Sequence, residues 1–344
     1  MTAEASSTIL RGMANEYAPS GSGVLERLAE YGIWAASPHN SQPWLVAIKA
    51  DSLGIFPDWK RQLISDPDAR LLFIALGCFW GNVRLAAEAL GLELAETVDD
   101  ESIRVRVKSS GGPRDERLLG AIRSRRNNRF PLAGALDAAL VFSQIVAENL
   151  ETHVITEPPL KKVVAQITKD AFKAVVRNRA FMIEFTEWVR TNRSSADDGM
   201  PAQSLGLPEA VAYLLPKVAR FLPMPDFVTG REKTLMENAP AIVVICGPDN
   251  RRSWLEAGRL FEEGAVRLEM EGYTCAINNS PAEMTPYHEE LSSVLGTSAK
   301  PLLVFRAGRP TRPCRPTPRR LLQEVVLSTE AVFSVAPHED DVTD

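Results

Sequence analysis

Two stretches of this chain share one spacing, and that spacing limits the fold more than any other feature. Gly77 leads through Phe79, Trp80, Val83, Leu85, Ala86 and Ala87 to Gly91, and Gly258 leads through Leu260, Phe261, Val266 and Leu268 to Gly272. The two glycines stand fourteen residues apart in both stretches. Apolar positions between them keep helical spacing, and Gly91 and Gly272 stand where a left-handed residue stops a helix. Each stretch reads as one long, largely buried helix. Strands are expected at 44–50 and 53–56 before the first helix and at 241–247 before the second, with 103–108 and 301–307 following them. A sheet with long helices packed on it, present twice, implies an α+β architecture of two similar halves. On the residues alone, two unrelated buried helices ending in glycine fit the same pattern.

The bulk numbers set outer bounds. A chain of 344 residues, 45% hydrophobic and 24% charged, has the composition of a globular protein and the length of about two domains. Its net charge of −5 offers no general attraction to nucleic acid or to an anionic membrane. The apolar run at 71–83 is too short to cross a bilayer, and residues 1–12 carry Glu4 and Arg11 without a secretory apolar core. Cys78, Cys246, Cys275 and Cys314 lie far apart with no histidine at ligand spacing. Neither a metal site nor a disulfide framework is expected, which points to a reducing, cytoplasmic compartment.

Two polar constellations carry chemistry. Ser37-Pro38-His39-Asn40-Ser41-Gln42-Pro43-Trp44 places two side-chain amides and a hydroxyl between prolines that restrict φ. Such a stiff loop suits edge-on recognition of a flat polar ring, although the same residues serve an ordinary turn. Arg123, Arg125, Arg126 and Arg129, interleaved with Asn127 and Asn128, crowd the end of a helix expected to begin near Asp115. Guanidiniums match phosphate bidentately, and a solvated basic helix end is the other reading.

Both constellations resemble one family. The 36–44 segment is similar to the Pro-Ser-x-x-Asn-x-Gln-Pro-Trp signature of the FMN-dependent nitroreductases, and the histidine before the asparagine resembles their single-chain, two-repeat, Acg-like branch. Ala36 stands where the family has Pro, and Pro38 where it has Gly. Arg125-Arg126-Asn127-Asn128-Arg129-Phe130 resembles the Arg-Arg-Ser/Thr-x-Arg-x-Phe signature, with Asn127 replacing the hydroxyl residue, and Gly272-Tyr273-Thr274-Cys275 loosely resembles the family's Gly-x-Gly-Thr-Cys. Arg319 and Arg320 lie in a proline-rich arm, 309–327, that resembles the family's C-terminal element.

The resemblance implies FMN bound by Ser37, Pro38, His39, Asn40, Gln42, Arg125, Arg126, Asn127, Arg129, Arg319 and Arg320. It implies two nitroreductase-like halves, 1–112 and 113–344, forming a pseudo-dimer around one flavin, so that a monomer suffices. Residues 191–238 belong to neither repeat and resemble a lid, with a surface excursion as the alternative. The implied activity passes hydride from NAD(P)H through flavin to a nitroaromatic, a quinone or a related small acceptor. No side chain need act as nucleophile or base, and His39 is the one histidine near the site. A storage protein holding FMN under the lid, with little turnover, and a flavin-free interaction protein are the competing readings.

Overall fold

The computed structural model describes residues 23–137, 141–143, 145, 147, 149–218 and 226–327. The first part runs α1 (Val24–Gly32), β1 (Trp44–Ile48), β2 (Leu53–Pro57), α2 (Arg70–Ala89), β3 (Leu92–Val98), β4 (Ile103–Ser110) and α3 (Glu116–Ser124). There follow β5 (Glu151–Ile155), α4 (Pro158–Arg177), α5 (Arg179–Glu187), α6 (Glu209–Val218) and α7 (Asp226–Glu237). Then come β6 (Ala241–Gly247), α8 (Arg251–Met270), β7 (Thr274–Ile277), α9 (Tyr287–Leu295) and β8 (Lys300–Pro310). Shorter turns and bridges complete the fold. The expected helical stretch at 219–222 and its stop at Pro223 and Pro225 lie outside the described residues.

Local chemistry explains the boundaries. Asp66 accepts from the amides of Leu71 and Leu72 and so starts α2. Asp115 accepts from Arg117 and Leu118 at the head of α3, and Asn250 accepts from Ser253 at the head of α8. These side chains satisfy amides that the first helical turn leaves without partners. Gly91 and Gly272, with φ of 69° and 74°, lie in the left-handed region just past α2 and α8.

The strands form two antiparallel sheets, ordered β1-β2-β4-β3 and β7-β8-β6-β5. In β6 every residue is buried. Its side chains alternate between two cores: Ala241, Val243 and Ile245 join the main one, whereas Ile242, Val244 and Cys246 pack with Val164, Met236 and Leu291. That is the period-2 pattern of a strand covered on both faces. Among the described residues one helix, Arg70–Ala89, is long and apolar enough to cross a membrane, and 83% of its apolar window is buried inside the protein. It is the core helix of the fold.

Helices α2 and α8 lie against each other through their glycines. Each helix has twenty residues, begins seven positions before its buried glycine, Gly77 or Gly258, and is therefore longer than the glycine-to-glycine stretch suggested. A Cβ on Gly77 would fall 2.0 Å from the Leu255 carbonyl oxygen, and one on Gly258 would fall 1.9 Å from that of Ile74. Backbone meets backbone from both sides, and only the missing side chain permits it. Gly258→Ala is therefore expected to force the helices apart and cost about 1–3 kcal/mol, as overpacking typically does. Thermal unfolding of the variant at the wild-type midpoint would refute this close approach.

Candidate functional site

The Ser37–Gln42 loop leaves α1 and enters β1 through a backbone that few residue types tolerate. His39, Asn40 and Gln42 have φ of 51°, 56° and 52°, a left-handed conformation costing roughly 1–2 kcal/mol per residue. Hydrogen bonds hold it there. The Gln42 amide donates to Ser37 Oγ at 3.1 Å. Asn40 Nδ2 donates to the carbonyls of Gly199 and Pro318, each at 3.0 Å, and Gln42 Nε2 donates to that of Asp197 at 2.7 Å. The Gln42 Oε1 atom accepts from the Arg320 amide at 2.9 Å, and Asn40 Oδ1 accepts from Arg319 at 2.9 Å. Both side-chain amides thus face the backbone of 197–199 and of the arm around 318–320.

The arginine cluster divides. Arg125 follows the end of α3 and is buried at 4% side-chain exposure against fully buried Glu262, 2.9 Å away, in an ion pair that lacks hydrogen-bond alignment. Its Nη2 donates to the Trp34 carbonyl at 2.7 Å, where Arg319 also donates, at 3.2 Å. Arg126 folds back onto the carbonyls of Arg123 and Arg125. Arg320 donates to the Gln42 carbonyl at 3.3 Å and lies 3.5 Å from Asp58. Burial, together with the charges of Arg125 and Arg126, brings the Arg319 guanidinium down to about 9. Asn40, Arg319, the Trp34 carbonyl, Arg125 and Glu262 form one continuous buried polar chain.

A cavity of about 210 Å³ opens beside that chain. Ser37, Pro38 and His39 line it together with Asn127 and Arg129, so residues from the front and the middle of the sequence share its wall. Asn127 Oδ1 accepts from the Ile277 amide at 2.8 Å. No hydrogen bond or ion pair engages the Arg129 guanidinium among the described residues. Burial lowers its titration point, with Glu232 as the carboxylate opposing that shift. Asn40, Gln42, Arg125, Arg126, Arg319 and Arg320 stand outside the cavity lining.

His39 projects between Phe181 and Phe185, with ring centroids 6.0 and 5.5 Å away. Burial first, and the Arg129 charge second, hold its imidazole down to about 3. It is neutral at physiological pH. The two phenylalanines belong to α5, which the Glu184 carboxylate ties to the Ile64 and Ser65 amides. The aromatic cover over His39 therefore comes from Phe181 and Phe185 of α5, ahead of the 191–238 segment. The latter contributes Glu232 to the cavity and the Asp197 and Gly199 carbonyls to the loop. Asp198 fastens it by accepting from Arg61 at 2.8 Å and from Arg190 at 2.9 Å.

Several cavity residues carry little signal in sequence. Asn278, Asn279, Glu283, Phe181 and Phe185 line it, and the Asn278-Asn279-Ser280-Pro281 run after β7 was the one available cue, a second amide-rich turn leaving a strand.

No protein-family model matches the chain. It is 26% identical over 311 residues to "Putative NAD(P)H nitroreductase Rv3131" of Mycobacterium tuberculosis, covering 85% of this chain and 88% of that protein. It is also 26% identical over 327 residues to "Putative NAD(P)H nitroreductase acg" of the same organism, covering 88% and 95%. The chain is similar over most of its length to these two proteins, both named putative NAD(P)H nitroreductases. Among solved structures, the FMN-dependent nitroreductase NfnB of Mycobacterium smegmatis aligns with a TM-score of 0.41 at 14% identity. That alignment covers 62% of this chain and 98% of NfnB.

Proposed function

We propose that this chain binds FMN and passes hydride from NAD(P)H to a small acceptor such as a nitroaromatic or quinone. The observation that carries the reading is the Arg129 guanidinium, surrounded by protein and without a partner among the described residues, in a cavity it shares with Ser37, Pro38 and His39. A half-buried cation without a direct counter-ion is costly unless an anion completes it, and a flavin nucleotide supplies a phosphate and an electron-rich ring edge. The apolar wall, which includes Phe172, Phe181 and Phe261, suits the flat ring system. The motif resemblance at 36–44 and 125–130 and the relatives named for NAD(P)H support the same assignment.

In this reading Asn127 and Arg129 hold the anionic part of the ligand, and Ser37, Pro38 and His39 form the wall beside it. FMN supplies the redox chemistry when bound, accepting and donating hydride. Asn40, Gln42 and Arg319 act one step back, fixing the loop. The buried chain from Asn40 to Glu262 joins the halves 1–112 and 113–344, which we infer to be a pseudo-dimer with one flavin between them. The cavity is smaller than the roughly 300–1,000 Å³ of enclosed small-molecule sites, so FMN enters when the α5 cover moves outward. The Glu184 carboxylate that ties α5 to the Ile64 and Ser65 amides also favours a storage role, in which the cover stays shut after loading.

Arg129→Ala is expected to weaken FMN retention about 10- to 150-fold, the value of one charge-assisted hydrogen bond of roughly 1.5–3 kcal/mol, with unfolding unchanged. Equilibrium dialysis against FMN measures it, and equal affinity in both proteins would refute the assignment. Steady NAD(P)H oxidation with a nitroaromatic separates enzyme from storage protein, which would retain the flavin without turnover.

A further inference from the structure

One carboxylate stands where the ligand's anion is expected. Glu232, on α7, lines the cavity with Asn127, Arg129 and Asn278. Its Oε2 atom accepts from Asn278 Nδ2 at 2.6 Å. Asn278 is held in that pose from its other side. Its backbone amide donates to the Val304 carbonyl at 2.9 Å, and its Oδ1 atom accepts from Arg306 Nε at 3.3 Å. Arg306, on β8, is 1% exposed, and its Nη1 donates to the Phe130 carbonyl at 2.8 Å. A relay of side chains thus runs from a buried cation through an amide to a carboxylate on the cavity wall.

The surrounding charges are unequal. Arg231 lies beside Glu232, with Nη1 3.9 Å from Oε1, and its Nη2 donates to the Arg129 carbonyl at 3.4 Å. Burial lowers the titration points of Arg129 and Arg306, the latter to about 10, and Glu232 is the carboxylate that opposes the shift in each. One carboxylate therefore serves the guanidiniums of Arg129, Arg231 and Arg306. Yet no ion pair joins Glu232 to Arg129 or Arg306 among the described residues, because its Oε2 atom is engaged by the Asn278 amide. A carboxylate resting on an amide donor beside an unpaired guanidinium holds the contacts that a phosphate oxygen would take.

Resting on the proposed flavin reading, we propose that Glu232 is a resident anion that competes with the ligand phosphate for Asn278 and Arg129, and so sets how tightly the site holds a phosphate monoester. A phosphate reaching Arg129 meets the carboxylate in a cavity of about 210 Å³, where like charges repel more strongly than in water. Binding requires Glu232 to leave the Asn278 amide, whose donor then turns to the phosphate. The uncharged part of the ligand meets no such competition. Glu232 therefore discriminates by charge: it weakens FMN and leaves riboflavin, the same ring and side chain without the phosphate, unaffected.

Equilibrium dialysis of the flavin-free protein against FMN and against riboflavin tests this. Glu232→Gln keeps an acceptor for Asn278 and removes the charge. It is expected to tighten FMN by about 10-fold or more and to move riboflavin by less than about twofold. Inorganic phosphate is the second probe and involves no flavin. It should raise the unfolding temperature of Glu232→Gln more than that of the wild type, because a ligand stabilises the folded state in proportion to its occupancy. A third reading needs no variant: in a crystal structure of the FMN-loaded wild type, Glu232 should stand beyond hydrogen-bonding distance of Asn278. An unchanged ratio of FMN to riboflavin affinity, an equal response to phosphate, or an intact Glu232–Asn278 bond in the loaded protein overturns the proposal. Failure of the wild type to bind either flavin is a different result. It removes the cofactor reading, and the phosphate comparison still decides on Glu232.

Discussion

Replacing Arg125 by alanine is expected to cost about 3–5 kcal/mol of folding stability, the usual consequence of stranding one member of a buried ion pair. Glu262 has no exposed side-chain surface and Arg125 has 4%. Without the guanidinium, the carboxylate keeps the Ala36 amide at 3.3 Å, the neighbouring Asn82 side chain and the more distant Arg319 charge. Burial already pushes the Glu262 carboxyl above its usual range, with Arg125 as the largest opposing influence. Removing both charges at once, as in Arg125→Met with Glu262→Met, should recover most of the loss, because the desolvation of each ion disappears with it. Urea midpoints of the two single variants and the double variant measure the coupling. A loss under about 1 kcal/mol in Arg125→Ala would mean that the pair is solvated. The contrast with Arg129→Ala is diagnostic: Arg125→Ala is expected to lower stability, and Arg129→Ala, on the proposed reading, only FMN retention.

Acidification should destabilise the flavin-free protein through His39. The unfolded chain binds a proton there below the ordinary value of 6.5, whereas the folded site refuses it until about 3. Between those values the unfolded state carries the extra proton, so stability falls as pH falls from about 6.5 towards 3. At pH 4 the difference spans about 2.5 units, or about 3 kcal/mol at 1.36 kcal/mol per unit. His39→Asn removes the titration and suits the left-handed backbone, which Asn tolerates better than most residues. Denaturant unfolding at about pH 7 and pH 4 should show a wild-type loss exceeding that of the variant by about 3 kcal/mol. Equal losses in the two proteins would place His39 in contact with water.

The long helices were legible because their chemistry is local. Gly77 and Gly258 each stand eighth in a twenty-residue helix, and the strand at 241–247 matches its expected bounds. Apolar periodicity and a glycine stop need no partner to be read. Helices α4 and α5 carried no comparable signal, and with them went Phe181, Phe185 and the cover over His39. The targets of the polar side chains were illegible for a related reason. Asn40 and Gln42 offer the same donors to a ligand or to a backbone carbonyl, and only the folded path of 197–199 and 318–320 decides between them. Arg125 and Arg129 lie four residues apart with the same side chain. Glu262, which separates their roles, sits on a helix far along the chain and faces only one of them.

The bond between Asn40 and Arg319 joins residues 279 positions apart. During synthesis on a ribosome, the strained loop exists long before its fastening does. A nascent polypeptide that has delivered α2 and even α8 still lacks the cation that grips Asn40 Oδ1. The loop is therefore fully fastened only once the arm has been made, and a truncation before Pro318 leaves it held by Ser37, Asp197 and Gly199 alone.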